Sequence, residues 1–98
     1  MQQQQWTNRP VVDNHHAPVG KVTDVLYGDQ ELTPRFATVK TGLLAERVTP
    51  LDGAYVSDDG VLVLPFDQRT IKHAPKAPRD HVLTPAVADE VVDHFDLD

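Results

Sequence analysis

The sequence predicts a mainly β fold, a small β-barrel of about six short strands followed by a C-terminal α-helix. The clearest pattern is at residues 35–41, which are β-branched, aromatic or long-stemmed and stand between Pro34 and Gly42, as is typical of a central strand. Apolar runs at 22–27 and 61–64 are expected to pair with this strand, because an isolated strand is not stable. Helical spacing of apolar residues is strongest near the C-terminus.

Length and composition indicate one globular domain. The chain has 98 residues, of which 40% are hydrophobic and 24% charged, too apolar for a disordered protein. It has no cysteine, which excludes disulfides and thiolate chemistry. Its net charge of −6 disfavours binding to nucleic acids and anionic membranes. No apolar run is long enough to span a bilayer and residues 1–6 lack signal-peptide features, so a soluble, cytoplasmic protein is expected.

The first half of the chain predicts a hairpin. Residues 1–8 are glutamine-rich and expected to be flexible. A short strand at 9–12, a turn by composition at 13–18 and a strand at 21–27 then follow. Asp24 interrupts the alternation of the second strand, which predicts either a β-bulge there or a strand that is buried on both sides for part of its length.

The middle of the chain predicts shorter elements. Residues 28–33 are expected to form a polar loop. Residues 47–51 are expected to form an edge strand, and this strand is a candidate for an edge exposed to solvent. Strands at 54–57 and 61–64 flank an Asp-Gly pair, which predicts a hairpin with a two-residue turn.

The last third predicts two helical segments. One helical turn at 67–71 is expected with Asp67 as its cap, and an extended connector at 73–79 follows it. The C-terminal helix is expected at 84–95, with Thr84 as N-cap. Its apolar stripe consists of Val87, Ala88, Val91, Val92 and Phe95. Because acidic residues stand at the unfavourable end of the helix dipole, the helix should depend on docking this stripe.

Four blocks of the chain resemble the PRC-barrel family, which is named for the cytoplasmic domain of the photosynthetic reaction centre H subunit. The same fold occurs in the C-terminal domain of a bacterial ribosome-maturation factor. The blocks are residues 19–27 (VGKVTDVLY), 34–42 (PRFATVKTG), 49–54 (TPLDGA) and 60–67 (GVLVLPFD), the last of which runs into 71–75 (IKHAP).

The resemblance implies a division of the chain into a flexible segment at 1–8, a PRC-barrel at 9–75, and a connector with helix at 76–98. Phe36 stands where the family often places tryptophan. Neither the membrane helix of the reaction-centre subunit nor the RNA-processing domain of the maturation factor is expected here, so the resemblance carries neither context over. It implies a module that contacts other proteins, and the family pattern contains no catalytic or cofactor residues to transfer.

The histidines do not form a recognisable catalytic or metal motif. His15 and His16 are adjacent, without a third ligand at a typical spacing, and are interpreted as turn residues. His73 and His81 flank the proline-rich connector, and His94 is placed on the polar side of the helix. The only serine, Ser57, has no base near it in the pattern.

Other charged residues also receive structural interpretations. The aspartates at 52, 58 and 59 fit turns better than a calcium loop. Arg35, Lys40 and Arg47 could line a basic strip across neighbouring strands, and are interpreted as a solvated face.

The sequence therefore predicts a non-enzymatic PRC-barrel protein without a cofactor that serves as a protein-protein interaction or scaffold module. A small-ligand or metal-binding barrel and a ribosome or RNA-processing adaptor are the alternatives. A symmetric homodimer is also predicted, because the strand edge at 47–51 and the apolar stripe of the last helix are both surfaces that can associate. The prediction does not hold if the helix covers its own barrel.

Overall fold

The structure, a computed structural model, describes residues 7–27, 34–43 and 45–95. The predicted loop at 28–33 and most of the predicted flexible segment at 1–8 lie outside the described residues. Six strands and two helices are described, in an order that agrees with the sequence patterns. They are β1 (Pro10–Val12), β2 (Pro18–Tyr27), β3 (Pro34–Lys40), β4 (Glu46–Pro50), β5 (Tyr55–Val56), β6 (Leu62–Val63), α1 (Gln68–Lys72) and α2 (Pro85–Phe95).

The strands form one sheet in the order β4-β3-β2-β1-β6-β5. All neighbours are antiparallel except β1 and β6, which are parallel. The predicted pairing of β3 with the run at 61–64 is wrong, because β3 pairs with β2 and β4 while β6 pairs with β1 and β5. The chain between β3 and β4 is short enough for a direct hairpin, which places β4 beside β3.

Local irregularities follow the sequence closely. The register of β2 and β3 shifts between Val22 and Asp24, which confirms the predicted bulge. The β5–β6 hairpin is also confirmed, but its turn differs: Ser57 N donates to Val61 O (2.8 Å) and Gly60 N donates to Ser57 O (2.9 Å). Only Gly60 of this loop has positive φ, at 83°. The connection is therefore a three-residue loop with a bulged glycine instead of a two-residue turn.

The outer edge of β4 is covered by the connector, in contrast to the predicted exposed edge at 47–51. Residues 75–77, here called the strap, run antiparallel to β4. Val48 N donates to Pro75 O (3.0 Å) and Ala77 N donates to Glu46 O (2.9 Å). The prediction of an exposed edge was wrong because a proline keeps its carbonyl acceptor, as Pro75 does, and Ala77, which lies between two prolines, keeps its N–H donor.

Helix α2 packs on the same chain's sheet. Val91 is fully buried and Phe95 is 6% exposed, within one core that includes Val48 of β4 and Ile71 of α1. The rings of Phe95 and Phe66 have centroids 4.6 Å apart. The docking of the predicted apolar stripe is therefore confirmed for its inner residues.

Side-chain caps begin both helices as predicted. Asp67 accepts a hydrogen bond from Thr70 N (2.8 Å), and Thr84 Oγ1 accepts one from Val87 N (3.2 Å). The hydrogen bonds of a second carboxylate, on buried Asp13, were not predicted: it accepts from the backbone N of His15, Ala17 and Gln68. These bonds hold the β1–β2 turn against the start of α1. Although burial raises it, the pKa of Asp13 is lowered by the backbone donors.

Candidate functional site

The candidate site surrounds the tip of the β3–β4 hairpin. Thr41 N donates to Ala45 O (2.9 Å) and closes the tip. Leu43 projects from this tip with 85% of its surface exposed, the most exposed of the large hydrophobic side chains in the described part of the chain. The hairpin thus presents an apolar side chain directly to solvent.

Basic side chains surround the hairpin. Three adjoining concavities, of about 410, 350 and 410 Å³, follow its two flanks. The first and second share Ala45 and Glu46, and the second and third share Lys40. Their lining contains one acidic residue, Glu46, and five basic residues, here called the basic belt: Lys21, Lys40, Arg47, Lys76 and Arg79.

A histidine is held between two carboxylates beside this belt. The Nδ1 atom of His81 lies 3.2 Å from Asp24 Oδ2, and its Nε2 atom lies 3.2 Å from Glu46 Oε1. His81 has φ of 56°, a left-handed conformation that turns the chain where it leaves the strap. The cluster joins β2, β4 and the connector. A neutral imidazole has only one N–H, so both hydrogen bonds are satisfied only when the ring is protonated.

The electrostatics of the cluster agree with that geometry. The hydrogen bond to Glu46 raises the pKa of His81, and although partial burial opposes it, the charges of Glu46 and Asp24 act in the same direction. The Thr23 hydroxyl lowers the pKa of Glu46 most, and despite some burial, His81 and Lys40 lower it further. Protonated His81 and ionised Glu46 therefore stabilise each other.

The cluster is better suited to holding the connector than to catalysis. Both ring nitrogens of His81 are already engaged, so neither is available to take a proton from a substrate. The imidazole also stands between the two carboxylates and keeps them apart. Among residues 7–27, 34–43 and 45–95, no group of three or more His, Asp or Glu side chains is arranged to hold a metal ion.

The other predicted candidates are dispersed over the molecule. Ser57 bonds to Asp59 in the β5–β6 loop, remote from the His81 cluster in the sheet order. His15 and His16 lie exposed in the β1–β2 turn. His73 ends α1 and its Nδ1 is 2.9 Å from Arg69 O. The aspartates at 52, 58 and 59 all lie in turns, as interpreted from the sequence.

His94 departs from its predicted position on the polar side of α2. Its ring is partly buried, and Nε2 lies 2.8 Å from Thr70 O of α1. This contact joins the C-terminal end of α2 to the middle of α1.

The predicted basic strip is only partly assembled. Lys40 and Arg47 both lie at the hairpin, where Lys40 is opposite Glu46 and Arg47 is opposite Val39. Arg35 is at the other end of β3, with its guanidinium 5.6 Å from the centre of the Phe36 ring. Sequence reasoning missed Lys21, Lys76 and Arg79, because β2 and the strap bring them to the hairpin only through tertiary pairing.

No protein-family profile matches this chain, and no curated protein is significantly similar to it. Within the described ranges, no helix has the length and apolar character needed to cross a bilayer.

Proposed function

We propose that this chain is a non-enzymatic protein-interaction module with a PRC-type barrel fold, and that it binds its partner through the β3–β4 hairpin. The observation that carries the proposal is the 85% exposure of Leu43, which lines the same concavity as Lys40 of the basic belt. A single exposed leucine is common on protein surfaces. A leucine that projects from a hairpin tip between concavities is placed to enter a pocket on another protein, and burying it would contribute about 1.5–3 kcal/mol.

Two structural features support the barrel part of the proposal. Four consecutive residues of β3 are buried, from Phe36 to Val39, as expected where a curved sheet is covered on both faces. Register shifts in the β1–β2 and β2–β3 pairs would bend the sheet in the way that closure of a small barrel requires. An NMR structure tests this part: a closed barrel requires the two ends of the sheet, β5 and the β4 edge that the strap covers, to pack around a common core.

The functional part is tested with two matched variants of the full chain. Leu43→Ser removes the apolar side chain at the hairpin tip, and Val82→Ser removes one that is 53% exposed and lines none of the three concavities. Affinity capture from the native cell should recover a protein partner with the parent chain and with V82S but not with L43S. Equal recovery by both variants would contradict the assignment of the binding surface.

Other outcomes separate the alternative functions. A stoichiometric extra mass in native mass spectrometry of the purified chain would favour a small-ligand or metal-binding barrel. Co-sedimentation with ribosomal particles would favour an RNA-processing adaptor. Turnover of a small-molecule substrate that disappears on mutating His81 would overturn the non-enzymatic proposal.

A further inference from the structure

The charge of the basic belt opposes that of the whole molecule. The chain has a net charge of −6, with nine basic residues, yet five of the nine line the three concavities around one hairpin. Four of the five are exposed and Arg47 is partly buried. Like charges gathered on one surface repel each other, so an anionic partner would relieve their repulsion.

Two acidic groups beside the belt are already engaged with His81. Glu46 bonds to His81 and lies opposite Lys40 in the β3–β4 pair, while Asp24 bonds to the other nitrogen of the same ring. Arg47 donates from Nη1 to Ala74 O (3.0 Å), which fixes its guanidinium at the wall of the first concavity. The charges that face the three concavities are therefore mainly positive and partly pre-positioned.

We infer that the basic belt binds an extended acidic segment of a partner protein, with an apolar side chain of that segment packed on Leu43. This inference rests on the proposed function and adds the chemistry of the partner. Three adjoining concavities suit successive side chains of an extended segment. Carboxylates of the segment would pair with Lys21 and Lys40 on one flank and with Lys76 and Arg79 on the other.

Two features favour a protein segment over a nucleic acid. A long polyanion would extend beyond the belt onto a surface that carries the excess of acidic residues, where it would be repelled. A short acidic segment contacts the belt alone. Leu43 lines the middle concavity, and its burial needs an apolar group that a phosphate backbone does not offer.

The test uses labelled peptides of about eight residues in which glutamates surround one leucine, titrated against the full chain by fluorescence anisotropy. The comparison peptides replace glutamate by glutamine, or leucine by serine. The double variant K76E/R79E reverses two charges of the belt, and K72E reverses an exposed charge on α1 outside it. We expect affinity for the acidic peptide to fall about tenfold or more in K76E/R79E and to remain in K72E. It should also weaken as salt is raised to about 0.5 M.

Several results would overturn the inference: equal binding of the glutamine peptide, equal loss of affinity in K72E, or tighter binding of a single-stranded RNA of the same length. If the acidic peptide fails to bind but a captured partner is still lost by L43S, the interaction module stands and only the acidic character of the partner is wrong. If L43S also leaves capture unchanged, the proposed function fails as well.

Discussion

The Nε2 atom of His81 lies 3.2 Å from Oε1 of Glu46, although the two residues are 35 positions apart in sequence. The same ring bonds Asp24 through Nδ1. Glu46 belongs to β4, and its own carbonyl accepts a hydrogen bond from Ala77 of the strap. The protonated imidazole therefore adds two charged hydrogen bonds to a segment that is already hydrogen-bonded along the β4 edge.

These charged hydrogen bonds predict that the stability of the fold depends on pH. The folded-state pKa of His81 is above its usual 6.5, so its contribution is complete below about pH 6.5 and is lost as pH rises through the folded value. The folded-state pKa of Glu46 is below its usual 4.5, so its contribution is complete above about pH 4.5 and is lost as pH falls through the folded value. The cluster should stabilise the fold most between these limits.

His81→Asn tests the prediction, because asparagine tolerates the left-handed backbone at this position better than most residues. Urea unfolding should show a loss of about 1 kcal/mol or less at about pH 5.5, and a smaller loss at about pH 8.5. His73→Asn is the control, since His73 is exposed at the end of α1 and its ring nitrogen bonds to Arg69 O of the same helix. Equal losses in H81N at both pH values would show that the ring charge contributes nothing.

Local patterns were sufficient to predict the order of elements, both helix caps and the bulge near Asp24. These features depend on a few neighbouring residues, such as Asp67 and the Thr70 amide that it caps. Closure of the sheet into a barrel stays a prediction, because the hydrogen-bonded strand order is linear, with β4 and β5 at its ends.

Features that depend on tertiary pairing could not be predicted in this way. The cluster joins residues that are 57 and 35 positions apart, so neither spacing nor composition indicated it. The strap pairs with β4, although the proline-rich sequence at 73–79 predicted only an extended connector. Asp24 was recognised only as an interruption of a strand pattern, and its bond to His81 gives that interruption a physical reason.

Close approach of two strands at Gly20 predicts that this position does not accept a side chain. A Cβ atom added to Gly20 would overlap the carbonyl oxygen of Lys40 on β3, a backbone atom that cannot move without disturbing the sheet. Gly20→Ala should therefore lower the free energy of unfolding by about 1–3 kcal/mol. Gly42→Ala is the matched control, because the nearest atom to its added Cβ is the Ala45 Cβ at 3.8 Å. Urea midpoints of the two variants measure the difference, and a G20A midpoint equal to that of G42A would contradict the close approach.

A symmetric homodimer stays a prediction, but the surface that supports it is β5 instead of the β4 edge and the apolar stripe of α2. The surfaces first expected to associate are covered within the chain by the strap and by docking of α2. Tyr55 and Val56 of β5 are exposed at the end of the sheet. Ser57 N donates to Val61 O, so by antiparallel alternation the N–H and C=O groups of Val56 point away from β6.

The substitution Val56→Pro removes this outward donor without removing a bond to β6. Light scattering at high concentration should show a dimer mass for the parent chain and a monomer mass for V56P. Val56→Ala is the control, because it keeps the N–H group. A monomer mass for the parent chain would contradict the prediction.

Docking of α2 predicts that its last buried ring makes a large contribution to stability. Phe95 is 6% exposed and packs on Phe66 with ring centroids 4.6 Å apart. Phe95→Ala should cost about 3–5 kcal/mol, because it removes the ring's burial and leaves a cavity. That is a large share of the roughly 5–15 kcal/mol expected for a whole domain. Asp93→Ala, at an exposed position of the same helix, should change stability by no more than about 0.5 kcal/mol.

A chain that ends at Pro78 extends the same test, because it removes the buried Val91 and Phe95 together with His81. Its thermal midpoint should fall below that of F95A, since it loses all apolar contacts of the helix and also the charged hydrogen bonds of His81. Each kcal/mol lost at the midpoint corresponds to a decrease of about 4–8 °C for a domain of this size. Unchanged midpoints in both variants would instead show that the sheet is stable without α2 and that the helix is free to serve a separate contact.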